Sequence, residues 1–419
     1  MDEYRRPQVA TILQRLAEPP DRLIAVFGPR QTGKTTAVRQ VLGACGRAYC
    51  YESVDDPGSQ GPPWPPGGGP NSRTLPAERD AAWLQRVWND CRNRAWGSPG
   101  GFVLVLDEVQ KISGWSNVVK GLWDADRADG CPLHVVILGS APLLMQAGLN
   151  ETLAGRFEPV RFMHWSYAEM AEAFGFDLER YLFFGGYPGA ASRTGDVERW
   201  AAYVRGALIA PNIERDVLSM ARIDKPALLK RLFYLGAAYS GQIVSYTKLV
   251  GQLQDAGNTT TLARYLDLLS KAGLLTGFSK HTGRPLSAKA STPKLNVLNT
   301  ALMAAVSGYT FDESRADRTF WGRLVESAVG AHLANTASSL AEVQYWRERH
   351  HEVDFVLRRG PHLLGIEVKS GRNPVGTPGL VEFERRFPGA RSLVVGEQGV
   401  PLAEFLSSPA DHWLHGDEP

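Results

Sequence analysis

The 419-residue chain has no run of about 18 apolar residues, the length a membrane-spanning helix needs. Its first residues, MDEYRRPQVA, lack the apolar stretch of a secretory leader, so a soluble cytoplasmic protein is expected. Cysteine is scarce: Cys45, Cys50, Cys91 and Cys131 are the four, and none forms a C-x-x-C pair. That spacing argues against structural zinc, and a cytoplasmic setting leaves reduced thiols as the plain expectation. Nor does one charge dominate: 46 Lys and Arg nearly cancel 44 Asp and Glu, leaving +2 at pH 7. Without a global basic field, any contact with nucleic acid has to come from a local patch. A content of 43% hydrophobic and 21% charged residues excludes a wholly disordered chain. At roughly 150 residues per domain, the length suggests about three domains.

Residues 22–27, RLIAVF, form a short apolar run suited to a buried parallel strand. The next eight, Gly28-Pro29-Arg30-Gln31-Thr32-Gly33-Lys34-Thr35, read G-x-x-x-x-G-K-T, and a helix-like stretch begins at Thr36. Glycines let backbone N–H groups curl around a phosphate, a lysine reaches the β- and γ-phosphates, and the threonine hydroxyl ligates Mg²⁺. The helix N-terminus adds a favourable dipole for the anion. Strand before and helix after are the context that makes this motif a nucleotide site, with ATP and Mg²⁺ as its expected ligands. A second apolar strand, Phe102–Leu106, ends in Asp107-Glu108. Asp107 is expected to hold Mg²⁺ through water and Glu108 to polarise the attacking water, which points to hydrolysis rather than binding alone. A third strand, His134–Leu138, is followed by Gly139-Ser140, where Ser140 is either a γ-phosphate sensor or a plain turn serine.

At this point the chain resembles the AAA-type ATPases of bacteria and archaea that carry a C-terminal domain of unknown function. The resemblance rests on GPRQTGKTT, LDEVQKISGW, the Gly-Ser after the third strand, LAGRFEPVRFMHWSYAEM and FFGGYPGA. It implies a catalytic arginine at Arg156, acting across a subunit boundary, and therefore a homo-oligomer, a hexameric ring. The alternative for Arg156 is an ordinary surface ion pair. Two departures stand out. Leu138 occupies the place of a usual threonine before Gly139-Ser140, and the Pro/Gly-rich stretch 56–76 reads as a mobile surface insertion.

Residues 226–275 read as three helices, and Leu274–Phe278 begins a hairpin. That order is the winged helix-turn-helix plan, with Gln242–Ser245 as its small first strand. Between Thr261 and Lys294 lie six basic residues, Arg264, Lys271, Lys280, Arg284, Lys289 and Lys294, against one acid, Asp267. Such a patch suits phosphate contact, with Thr259, Thr260, Arg264, Lys271, Lys280 and Arg284 as candidates for binding DNA. Winged helices also serve as lids or protein-contact modules.

From Phe320 the pattern changes again. Glu326 lies in an amphipathic helix, Asp354 in the alternating strand Glu352–Leu357, and Glu367 and Lys369 on one face of Leu364–Lys369. This order resembles the PD-(D/E)XK nuclease superfamily, which implies Mg²⁺ on Glu326, Asp354 and Glu367, with Lys369 orienting water or phosphate. The alternative is a solvated strand face.

The expected architecture is α/β: an AAA-type P-loop ATPase core with helical lid (1–224), a winged helix (225–312), an α/β nuclease-like domain (313–405) and a frayed tail (406–419). Three functions are compatible with it: an ATP-driven motor that translocates on or remodels DNA, branched junctions included; an ATP-dependent, Mg²⁺-dependent DNA nuclease; or a nucleotide switch acting on a protein partner.

Overall fold

The computed structural model describes residues 4–55, 79–140, 145, 148, 149, 152–217, 223, 225–253, 257–283, 291–371 and 377–415. The expected insertion 56–76 and the candidate Arg284 lie outside the described residues. Contacts divide the chain into two compact units, Met1–Phe162 and Met163–Pro419.

The first unit is a five-stranded, wholly parallel sheet in the order β2-β3-β4-β1-β5. Its strands are β1 (Leu23–Phe27), β2 (Ala48–Ser53), β3 (Phe102–Asp107), β4 (Leu133–Gly139) and β5 (Phe157–Arg161). The continuous apolar runs of β1, β3 and β4 are buried throughout, because both faces are covered. Leu23, Ala25 and Phe27 pack into one core with α3 (Ala81–Trp96) and α4 (Trp115–Asp129). Ile24 and Val26 pack into the other with α1 (Pro7–Ala17) and α2 (Lys34–Ala44). The fully buried Asp126 of α4 accepts from Trp88 Nε1 at 2.7 Å and pairs with Arg92, tying α3 to α4.

The second unit holds a six-stranded mixed sheet, β11-β10-β9-β8-β6-β7. Here β6 is Leu275–Lys280, β7 Lys294–Val297, β8 Glu342–Glu348, β9 His351–Arg359, β10 His362–Val368 and β11 Arg391–Val395. The three expected helices are present as Pro226–Ala238, Tyr246–Gln252 and Thr259–Lys271. Asn258 caps the third, its side chain accepting from Thr261 N–H at 2.8 Å. Gln242–Ser245 contributes a single bridge, Ile243 with Lys294, rather than a strand.

Four expectations need correction. The chain divides after Phe162, not after 224, so residues 163–224 belong to the second unit. The β6–β7 hairpin is not a free wing: β6 also pairs with β8 through Ser279–Gln344 and Lys280–Tyr345. Lys294 is fully buried and ion-paired, not part of a basic surface, because β7 carries it into the core. The expected tail is helical over Ala410–His415, with Ala410 and Leu414 buried and the Phe405 and Trp413 rings stacked at 5.2 Å. Asp411 anchors it, accepting from Ser338 N–H and Oγ at 2.7 Å and pairing with Arg359 at 3.2 Å.

The resemblance motifs HWSY and GGYPG turn out to be neighbours. His164 Nε2 lies 2.7 Å from Gly273 O, its Nδ1 contacts the Asn299 amide at 3.3 Å, and its ring meets the Tyr187 ring edge-on. Asn299 Oδ1 accepts from Gly186 N–H and from Ala301 N–H, both at 3.1 Å. Gly185, at φ 68°, has no room for a side chain: a Cβ there would lie 2.0 Å from Asn299 Oδ1. The motif is a close-packed joint, and its glycine is explained by that approach.

Candidate functional site

The phosphate loop joins β1 to α2, at the C-terminal ends of the strands, where open parallel sheets bind ligands. Gly28 is needed for close approach: a Cβ there would meet Phe162 O at 1.9 Å. Gln31 (φ 59°) and Gly33 (φ 86°) are left-handed, which bends the loop back toward the first turn of α2. Thr32 Oγ1 donates to Pro29 O at 3.0 Å and closes the loop. Lys34 is buried, and its ammonium donates to Gly28 O at 2.9 Å and Pro29 O at 2.7 Å. The lysine is therefore folded onto the loop's own carbonyls. Arg30 and Thr35 are half-buried, and Gln31 and Thr36 are exposed.

Because β4 lies between β1 and β3, Ser140 at the end of β4 is brought between the loop and the Asp107-Glu108 pair. Glu108 adopts φ 59°, the second left-handed non-glycine residue of this site. Strain of this kind collects at functional sites. Its Oε1 accepts from Ser140 N–H at 3.0 Å and its Oε2 from Gln110 Nε2 at 2.7 Å. Lys111 lies 3.6 Å away. Ser140 thus meets Glu108 through its backbone. Asp107 is buried, which pushes its carboxyl above the usual carboxylate range, and Tyr51 of β2 donates its hydroxyl to Asp107 Oδ2. Burial and Asp107 push the Tyr51 hydroxyl up in turn, while Thr35 and Arg39 pull it the other way.

Three contributors escaped sequence reading. Tyr51 of β2 meets Asp107 across the sheet and also acts on Thr35. Gln110 holds Glu108. Arg6, buried before α1, donates to Thr32 O at 3.0 Å while its guanidinium lies 5.5 Å from the Phe162 ring centre. No spacing rule links residue 6 to residue 32.

Arg156 makes a two-point ion pair with Asp124 of α4, Nε to Oδ1 at 2.7 Å and Nη2 to Oδ2 at 3.0 Å, both partly exposed. Asp124 is held below its usual range by that arginine. Within one chain, Arg156 is therefore the surface ion-pair residue.

In the second unit, Glu326 comes from the helix Arg318–Thr336, Asp354 from β9, and Glu367 with Lys369 from β10 and its end. The fold brings all four together around a residue that the sequence pattern had assigned to a basic surface. Lys294 Nζ lies 2.5 Å from Glu326 Oε1, 3.4 Å from Asp354 Oδ1 and 3.1 Å from Asp354 O. Asp354 Oδ2 accepts from Val368 N–H at 2.8 Å, and Lys369 Nζ donates to Glu367 Oε1 at 2.6 Å. Burial pushes the Glu326 carboxyl up to about 7 against the pull of Lys294. Burial also raises Glu367. For Lys294 burial pulls the other way, but Asp354 and Glu326 outweigh it and keep the ammonium charged.

On the helix Thr259–Lys271, Thr260, Arg264 and Lys271 are exposed, while Leu262, Tyr265, Leu266 and Leu269 are buried. Lys271 pairs with Asp267 at 2.7 Å, and Lys280 is half-buried on β6. No described helix is long and apolar enough to cross a membrane.

Comparison with known proteins agrees with the first of these sites. Residues 20–171 match the family model described as an AAA domain. Residues 175–313 and 321–404 match two domains of unknown function, DUF8612 and DUF4143. Among proteins of curated function, none matches. Solved structures similar to this chain include a Walker-type ATPase of Pyrococcus abyssi, at 14% identity and TM-score 0.46, covering 73% of this chain and 96% of that one. Another is the RuvB Holliday junction branch migration motor of Thermotoga maritima, at 15% and 0.31, covering 65% and 89%. A third is AMPPCP-bound DnaA from Aquifex aeolicus, at 14% and 0.31, covering 63% and 86%. At such scores these likenesses carry no argument about function.

Proposed function

We propose that this protein binds ATP with Mg²⁺ at the phosphate loop, hydrolyses it, and uses the turnover to translocate on or remodel DNA, branched junctions included. The observation that carries the reading is the convergence of Lys34, Asp107, Glu108 and Ser140 at one end of a parallel sheet. The donor set suits Mg²⁺: Thr35 and Asp107 offer hard oxygens beside the loop, and both face the Tyr51 hydroxyl. When bound, the ion supplies charge neutralisation at the phosphates. Lys34 exchanges the carbonyls of Gly28 and Pro29 for phosphate oxygens. The left-handed stretch from Gln31 to Gly33 supports N–H groups turned to the same anion. Glu108 takes the proton side of the attacking water, and Ser140 and Gln110 hold its carboxylate in place. Arg156 acts on a second copy's γ-phosphate once it parts from Asp124, so the working form is a homo-oligomeric ring, of six in this reading.

DNA contact falls to the helices and hairpin between 226 and 297, read as a winged helix, through Thr260, Arg264, Lys271, Lys280 and Arg284. Three of these are exposed on one helix opposite its apolar stripe. The region 313–405 is read as nuclease-like, because helix Glu326, strand Asp354 and Glu367-x-Lys369 meet in one cluster. An ATP-dependent nuclease, the second reading, would need that cluster to hold a divalent metal.

ATP turnover is the test, measured with and without duplex, single-stranded and four-way-junction DNA, beside Lys34→Ala. Stimulation by one DNA form supports the motor and identifies its track. Turnover indifferent to all DNA defeats it and favours a nucleotide switch on a protein partner.

A further inference from the structure

The nuclease-like reading implies a divalent metal, and the residues present do not fit one. A magnesium ion needs near-octahedral oxygen coordination close to the carboxylates. The position between Glu326 and Asp354 is already held by the Lys294 ammonium, whose partners are Glu326 Oε1, Asp354 Oδ1 and the Asp354 carbonyl. The Phe355 ring closes over it, 4.7 Å from Nζ to the ring centre. Lys294 is completely buried, so it has no solvent position to retreat to. Strand pairing fixes its backbone, Phe278 opposite Lys294 in the β6–β7 hairpin.

Two further oxygens are committed as well. Asp354 Oδ2 takes the Val368 N–H, and Glu367 Oε1 takes Lys369. One oxygen, Glu367 Oε2, is buried without a hydrogen-bond partner, and it lies on the one carboxylate whose other oxygen is taken by Lys369. Among the described residues, no three Asp, Glu, His or Cys side chains are grouped to hold a metal ion. Three carboxylates face two ammonium groups, so little net charge is left to draw in a dication.

We propose that the Lys294 ammonium is the resident cation of this cluster, standing where a nuclease holds its metal, so that this core takes no divalent ion and does not cut nucleic acid. Its carboxylates instead clamp β7 to the helix Arg318–Thr336 and to β9. The inference rests on the nuclease-like reading of residues 313–405. It assigns the cluster a fixed monovalent charge contributed from outside that segment, by a strand 60 positions before Asp354.

The test is Mn²⁺ binding, followed by paramagnetic resonance on the full chain without nucleotide, with circular dichroism as a check on folding. Wild type and Asp354→Asn are expected to bind the same number of ions. Lys294→Met, which removes the charge and keeps the length, is expected to bind one more ion per chain, and Asp354→Asn in that background to lose it. An ion bound by wild type and lost in Asp354→Asn overturns the proposal, and this arm stands even where Lys294→Met does not fold. A folded Lys294→Met that gains no ion overturns the nuclease-like reading, and with it the claim that an ammonium replaces a metal. Mg²⁺-dependent cleavage of DNA by wild type, abolished by Lys369→Ala, also overturns the proposal.

Discussion

Two clusters in this protein combine lysine with acidic residues, and they differ in what the lysine touches. In the first unit, Lys34 rests on the carbonyls of Gly28 and Pro29. Asp107 is held by a neutral hydroxyl, and Glu108 by an N–H and an amide. Each of these partners is uncharged and can be traded for a ligand group at small cost. In the second unit, Lys294 is locked between Glu326 and Asp354 with no exposure. Removing one member of a buried pair leaves an uncompensated charge. The same residue types thus make a site that exchanges partners in one place and a fixed clamp in the other.

The contrast is broken most severely by Lys294→Ala. Loss of the buried cation is expected to destabilise the protein by about 3–5 kcal/mol, read by denaturant unfolding of the second unit. If Lys294→Ala unfolds like wild type, the clamp is not structural. Next comes Glu108→Gln, expected to lower ATP turnover by about 10²–10⁴-fold while nucleotide binding persists. Loss of binding together with turnover would instead give Glu108 a role in holding the loop. Gly185→Ala ranks third, expected to cost about 2 kcal/mol or more, because its Cβ has no space against Asn299. Unchanged thermal stability would remove the joint from the account.

Acidity sharpens the comparison. Folded Glu326 titrates at about 7 and the unfolded side chain near 4.5, so between these values the folded state keeps a proton that the unfolded chain has released. Stability from this group is present below about 4.5 and is lost as pH rises through about 7. The stability of wild type relative to Glu326→Gln should therefore fall with rising pH across that window, measured by urea unfolding. The groups facing Glu326 are Lys294, Asp354 and Glu352. A difference that is flat or rises with pH contradicts the assignment. The smallest effect is expected for Arg264→Ala: a uniform loss of DNA affinity and a decrease of about one in the salt slope. No change in slope would take Arg264 out of the interface.

The geometry of the first cluster was largely legible because its parts are local. The loop motif comes directly after its strand, and the acidic pair directly ends another. Continuous apolar runs in β1, β3 and β4 marked strands buried on both faces. The four residues of the second cluster were named because their order resembles the PD-(D/E)XK pattern, with alternation setting only the strand faces. What could not be read was Lys294. In sequence it sits among Lys280, Arg284 and Lys289 and counts as one more solvated charge. Tyr51, Gln110, Arg6 and Asn299 were missed for a related reason. Each acts through a hydrogen bond made by side-chain direction or sheet order, and neither leaves a pattern in spacing. The C-terminal helix was mistaken for a tail because its polar residues mask the anchoring of Asp411 on Ser338 and Arg359.

The sequence by itself determined the phosphate loop, the strands that flank it, the acidic pair and the stripes of the helices, since chain-neighbour stereochemistry and periodic burial are written residue by residue. Only the tertiary structure decided where the units divide, that the hairpin joins the carboxylate strands in one sheet, and that a lysine from that hairpin fills their cluster. Those outcomes depend on which distant segments share a core, and a buried charge takes whatever partners that core supplies.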